Sequence, residues 1–449
     1  MSTGHHDGHE GHDVTRPEPA SSGLTRRGLL AAGGATGLAA LLAGCGLGGA
    51  SSTGGQGSGK GSIRALFMKQ AGYSEDNIRA MTAGFQKANP SIKVTADFVS
   101  YEALHDKIVA AAPAGTYDVV LIDVIWPAEF GTKHIVADVS AKWPASWKQK
   151  MLPGAVATPE FDNKMYGVPW ILDTKYLYYN TAHLQKAKVD PGSLDTWDGV
   201  MKAARAVKSA GLVKYPLIWS WQQAEALICD YAQLLGAFGG SFLDSSGKPA
   251  FNKGGGVQAL EFMQRSLTDG LSNPTSTQSL EEDVRRVFSA GQASMALNWT
   301  YMFGLADDPK QSQVPGKVGV AQTPTGSAGR PGVNGSMALA VAGGSKNQSA
   351  AWKYVSYLTS QPVQDKFALS SLPVWKTSYD DPHVVKTNPA VVPQAKKQLG
   401  DLILRPQVKN YNGISQILQA EIQNVLLKKK TPQQGLDDAA SKASALLQS

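Results

Sequence analysis

From residue 63 to residue 123 the chain alternates strand-like and helix-like apolar patterns, and that alternation restricts the fold more than any other feature. Residues 63–68 are a short apolar run that ends in a polar loop, Lys69-Gln70-Ala71-Gly72. Ser74 stands as an N-cap before Ile78, Met81 and Phe85, which recur at helical spacing. Residues 92–99 read as a second strand and 102–112 as a second helix. Residues 117–123, Tyr-Asp-Val-Val-Leu-Ile-Asp, read as a third strand, apolar on both faces as a buried parallel strand must be. Strand, helix, strand, helix, strand opens an α/β sheet covered on its faces by helices. Such sheets bind ligands beyond the carboxyl ends of their strands, which puts 69–72, Ser100, Tyr101 and 123–126 on one rim.

The roughly 390 residues after Lys60 exceed one compact core and predict two domains. Val168-Pro169-Trp170 is a rigid extended piece, and 175–179 reads as a strand. Thr196 caps a helix through Val200, Ala204 and Val207 that Gly211 ends. A strand at 217–219 and helices at 224–235, 257–267 and 280–288 follow, with a strand at 294–297. Pro- and Gly-rich sequence fills 322–335, then come a strand at 337–341 and a helix capped by Ser345. Two amphipathic helices, 414–427 and 432–447, complete the pattern, and no internal repeat is visible.

The first 44 residues read as a leader. Arg26 and Arg27 precede a Gly/Ala-rich apolar stretch, 28–44, too short to span a bilayer. A paired arginine before such a stretch is a twin-arginine export signal. Leu42-Ala43-Gly44-Cys45 is a lipoprotein cleavage box, so Cys45 is expected to become a lipidated N-terminus, with 45–62 as a Gly/Ser-rich tether. The chain is thus expected on the extracytoplasmic face of the cell membrane, anchored by lipid. His5, His6, His9 and His12 fall in the discarded part. Cys229 is then the only remaining thiol, which rules out an internal disulfide, and its apolar setting, Ala-Leu-Ile-Cys, marks it as buried.

A formal charge of +7 without clustered Lys/Arg and interleaved aromatics excludes nucleic acid as a partner. Residues 54–60 resemble a phosphate-binding loop, but Gly61 replaces its Ser or Thr and no strand precedes it. Gly254-Gly255-Gly256 reads as a turn. His105, His134, His183 and His383 lack metal-ligand spacing, and no nucleophile elbow occurs, so neither metal, cofactor nor enzymatic activity is expected. Asp123 and Asp173 could pair as glycosidase carboxylates, but no second feature supports chemistry.

What stands out is aromatic. Of ten Trp, six (Trp126, Trp170, Trp219, Trp221, Trp299 and Trp375) sit where strands should end, with Tyr301 nearby. An aromatic face offers an apolar plate to a sugar ring. Trp219 and Trp375 read equally well as core, Trp126 and Trp299 more readily as plates.

In order, Tyr-Asp-Val-Val-Leu-Ile-Asp (117–123), Tyr-Gly-Val-Pro (166–169), Leu-Tyr-Tyr-Asn (177–180), Thr-Trp-Asp (196–198), the run 288–299 and Gly-Ser-Lys-Asn (344–347) resemble the extracellular solute-binding proteins of carbohydrate ABC importers. Residues 123–130, 227–231 and 298–304 are most similar to the trehalose/maltose-binding subgroup. The resemblance implies two α/β lobes joined by a hinge of three crossings, here near 171–174, 325–334 and 372–374. Lobe 1 would comprise 63–172 and 335–372, and lobe 2 would comprise 173–334 and 373–449. It implies a monomer that binds a di- or oligosaccharide between the lobes, closes, and docks on permease subunits served by a cytoplasmic ATPase. It implies that Asp123, Asp173 and Arg405 bond sugar hydroxyls and that Trp299 and Tyr301 stack on rings. Gln70, Tyr101, Trp126, Trp221 and Ser336 complete the expected site. The chain departs from the subgroup at Ile171, where Tyr is common, and at Gly335-Ser336-Met337, where Trp follows a Gly pair. An exported glycoside-active enzyme, an adhesion lipoprotein and a receptor for a polyol phosphate are the competing readings.

Overall fold

The computed structural model describes residues 61–69 and 72–447. The expected leader and tether, with Arg26, Arg27 and Cys45, lie outside the described residues, as does Gln70.

The strands β1 (Gly61–Met68), β2 (Ile92–Val99) and β3 (Val119–Asp123) open the first sheet, with β1 parallel to both neighbours. Every residue of β3 is buried, which explains its unbroken apolar sequence, whereas β2 is half-exposed at the edge. The expected caps form: Ser74 Oγ accepts from Asn77 N, and Thr196 Oγ1 from Gly199 N. Ser345 does not cap. Its hydroxyl donates to Asp118 Oδ1 at 2.6 Å, and Asn347 precedes the helix Gln348–Leu358 instead. A small hairpin of β4 (Glu160–Phe161) and β5 (Lys164–Met165) leads to β6 (Val168–Ile171).

The chain then crosses to a second sheet, built from β7 (Tyr176–Asn180), β8 (Leu217–Ile218), β9 (Met295–Asn298) and β10 (Val318–Ala321) in the order β10-β7-β9-β8. Its faces separate by the period of two. Leu177, Met295 and Leu297 pack with the helices Trp197–Ser209, Glu225–Ala237 and Gly255–Thr268. Tyr176, Tyr178 and Ala296 join a core continuous with the first lobe. The return passes through β11 (Gly332–Val333) into β12 (Met337–Val341), which inserts antiparallel between β3 and β6 and gives the order β2-β1-β3-β12-β6.

The third crossing corrects the expected boundary. Residues 373–399 were expected in lobe 2 but pack on lobe 1. Leu152 N donates to Val374 O, Lys376 Nζ to Gln149 O, and Met151 forms a bridge with Trp375. The chain crosses only after Gln398, where β13 (Leu402–Ile403) pairs in parallel with β11. The helices Tyr411–Leu426 and Pro432–Leu447 then pack on lobe 2. The three crossings bond to one another: Gly335 N donates to Asp173 O at 3.0 Å, and Asn334 N to Ile403 O at 2.9 Å.

Candidate functional site

A cavity of about 780 Å³, counted with the space that opens to solvent, lies between the lobes. From lobe 1 come Met68 at the carboxyl end of β1, Asp123 at that of β3, Ile171 at that of β6, and Tyr101 from the helix Tyr101–Ala111. This is the rim that an α/β sheet offers to ligands. Lobe 2 contributes the first residues of two helices, Glu225 and Ala226, and Glu281 and Glu282, with Trp299 and Tyr301 just beyond β9. Asp173, Gly335 and Arg405 come from the three crossings.

Arg405 is 1% exposed and spans the lobes. Its Nη2 lies 3.0 Å from Asp123 Oδ1 and its Nη1 2.7 Å from Glu225 Oε1. Its Nε has no hydrogen-bond partner although buried. Burial works against this cation, but Asp123 and its other neighbours outweigh it and hold the guanidinium charged. Asp123 Oδ2 accepts from Tyr101 Oη at 2.9 Å. Glu225 also accepts from Tyr411 Oη and Ser415 Oγ, each at 2.5 Å.

Asp173 has no cationic partner among the described residues. Its Oδ1 accepts from Thr300 Oγ1 at 2.7 Å and Thr174 N at 2.9 Å, while Oδ2 has only Thr300 N at 3.3 Å. Burial pushes this carboxyl up to about 7, against those hydrogen bonds.

Trp299 is held on three sides. Lys175 Nζ lies 5.1 Å from its ring centroid, Nε1 donates to Glu281 Oε1 at 3.2 Å, and its outer ring edge lies against Gly335. A Cβ on Gly335 would meet the ring at 2.2 Å, so only glycine fits there. Lys175 is itself fully buried, 2.6 Å from Asp230 Oδ1 and 3.4 Å from Glu281 Oε1. Burial opposes its charge, but Asp230 and Glu281 raise its pKa overall. Cys229 also lines the cavity, and burial pushes its thiol up to about 12, which removes it as a nucleophile.

The expected residues therefore divide. Tyr101, Asp123, Asp173, Trp299, Tyr301 and Arg405 meet at the cavity. Three do not line it. Trp221 stacks on Trp219 at 5.3 Å and 5° inside lobe 2, because both rings turn inward from the end of β8. Ser336 is fully buried between two lining residues, with its carbonyl bonded to Val124 N. Trp126 backs Tyr101, stacked at 6.0 Å, and borders an outer hollow shared with His105 and Gln222. Sequence reasoning missed Glu225 and Glu281, which read as ordinary first-turn acids. It also missed Lys175, whose signal was a charge at the head of an apolar strand.

Carboxylates from both lobes, two aromatic rings and the hinge surround one cavity. The family of bacterial extracellular solute-binding proteins matches residues 70–365. This chain belongs to that family. A probable ABC transporter-binding protein of Deinococcus radiodurans is 31% identical over 72% of this chain and 78% of its own length. Among solved structures, maltose-bound T. maritima MalE3 superposes with a TM-score of 0.80 at 29% identity, over 86% of this chain and 99% of that one. A solute-binding protein of Agrobacterium radiobacter K84 in complex with ribitol shares the fold, with a TM-score of 0.75 at 22% identity over 86% and 98% of the two chains. As a solute-binding protein of ABC transporters, this chain has the two-lobed α/β architecture expected from its motifs. Among the described residues no helix is long and apolar enough to cross a membrane.

Proposed function

We propose that this solute-binding protein is a lipid-anchored, monomeric receptor that takes a carbohydrate of one or more sugar rings into the interlobe cavity and delivers it to the permeases of an ABC importer. The observation that carries the reading is the pairing of acceptors with plates. Asp123 and Asp173 stand at the cavity with Trp299 and Tyr301, and a sugar presents both hydroxyl donors and an apolar ring face. The relative with bound maltose supports the same class.

The test is a thermal-shift and calorimetric screen of mono- and disaccharides, with solution scattering on any hit. A ligand at 100 times its dissociation constant adds about 2.7 kcal/mol of stability. Closure around it should reduce the radius of gyration, because a ligand shifts the lobes only by binding the closed form better. Product release from an oligosaccharide would overturn the reading in favour of an enzyme. An unchanged scattering profile at confirmed saturation would replace closure by a preformed pocket.

Anchoring has its own test. Cys45→Ser should abolish lipid attachment and leave the protein in the medium or as an unprocessed precursor. Replacing Arg26 and Arg27 together by Lys should stop export. Normal twin-arginine export of that double variant would refute the signal.

A further inference from the structure

We infer that the cavity selects its ligand by charge, rejecting anionic solutes and holding an amine-bearing sugar, with Asp173 Oδ2 receiving the ammonium. The inference rests on the carbohydrate reading and narrows its substrate class. Six carboxylates, Glu102, Asp123, Asp173, Glu225, Glu281 and Glu282, line the cavity with one cation among the described residues, Arg405. That cation is already committed to Asp123 and Glu225. Two cations outside the lining are committed as well. Lys175 serves Asp230 and Glu281, and Arg285 lies 3.0 Å from Glu282. An anion entering this space would lose its hydration to face a surplus of negative charge.

Within that field Asp173 has the open acceptor. Oδ1 is filled by Thr300 Oγ1 and Thr174 N, whereas Oδ2 has a single amide at 3.3 Å. A second, independent feature points to a ligand here: Arg405 Nε lies buried without a partner on a side chain that lines the cavity. A hydroxyl or ring oxygen of the same molecule would satisfy that donor. An ammonium at one end and hydroxyls at the other describe an amino sugar. Asp173, pushed up to about 7 by burial, must give up its proton to receive the ammonium.

The experiment is calorimetry at pH 6 with matched probes: trehalose against trehalosamine, and glucose against glucosamine and glucuronate. The amine should bind about tenfold tighter than its neutral partner, or more, and the uronate at least about tenfold weaker than glucose. Repeating the amine titration in two buffers of different ionisation enthalpy should show about one proton released per ligand. In Asp173→Asn the amine-to-neutral ratio should fall towards one, and the wild-type ratios decide alone if that variant does not fold. Neutral or anionic sugars binding as tightly as the amines would overturn charge selection and leave the carbohydrate reading standing. No binding by any probe would overturn both.

Discussion

Arg405→Met is expected to lose about 3–5 kcal/mol of stability and to bind ligand poorly. Methionine keeps the unbranched stem to about the position of Nε and removes the guanidinium with its charge. Asp123, 4% exposed, and Glu225 would then face each other across the cavity without the guanidinium now 3.0 and 2.7 Å away. Removing one member of a buried ionic set costs most through the charges left behind. A triple variant that adds Asp123→Asn and Glu225→Gln should therefore recover most of the unfolding temperature, because no uncompensated charge remains. It should not recover binding, because the amides no longer accept as carboxylates do. Denaturant or thermal unfolding of both variants, beside calorimetry, checks the pair of outcomes. If Arg405→Met melts like the wild type, the ionic bridge between the lobes contributes nothing to stability, and Arg405 serves the ligand alone.

The lobes were legible in the sequence wherever a local rule decides structure. The caps at Ser74 and Thr196 follow from side chains that reach their own helix. The strand ending at Asp123 follows from an apolar run that only burial on both faces allows. The third crossing was illegible for the opposite reason. β13 has only two residues, Leu402 and Ile403, and exists because β11 lies beside it, a long-range pairing with no periodicity to read. The segment around Trp375 was likewise assigned to the wrong lobe, since its attachment to Met151 and Gln149 is tertiary.

The site divides on the same principle. The place of Asp123 at the cavity was legible because the carboxyl end of a buried strand lies on the rim of an open α/β sheet. Trp221 and Trp299 each follow a short apolar strand within a polar loop, and nothing local separates them. What separates them is packing: Trp221 is covered by Trp219 and bonded through its carbonyl to Gln423, whereas Trp299 turns outward over Gly335. Glu225 and Glu281 open helices in the ordinary way for acids near a helix N-terminus. Only tertiary docking, of the first helix against the crossing strands β11 and β13 and of the second against β9, carries them to the cavity.

Trp299→Ala is expected to weaken ligand binding by about 1.5–3 kcal/mol, on the order of 10–100-fold, through loss of a stacking plate. The ring is held in place before any ligand is present. Glu281 fixes its Nε1, Lys175 lies over its ring and Gly335 leaves room for its outer edge, so the indole is oriented before any ligand arrives. The same supports predict a second, smaller effect. Removing the ring forfeits a cation–π contact of about 0.5–2 kcal/mol and one hydrogen bond of about 1 kcal/mol, so the unliganded variant should melt somewhat lower. Trp299→Phe separates the contributions. It keeps an aromatic face for the sugar and loses the bond to Glu281, so it should retain most of the affinity. Calorimetric titration of both variants beside melting of the unliganded protein reads the two effects apart. Wild-type affinity in Trp299→Ala would assign the ring to packing between lobe 2 and the hinge rather than to the ligand, because the melting loss would then be its whole contribution.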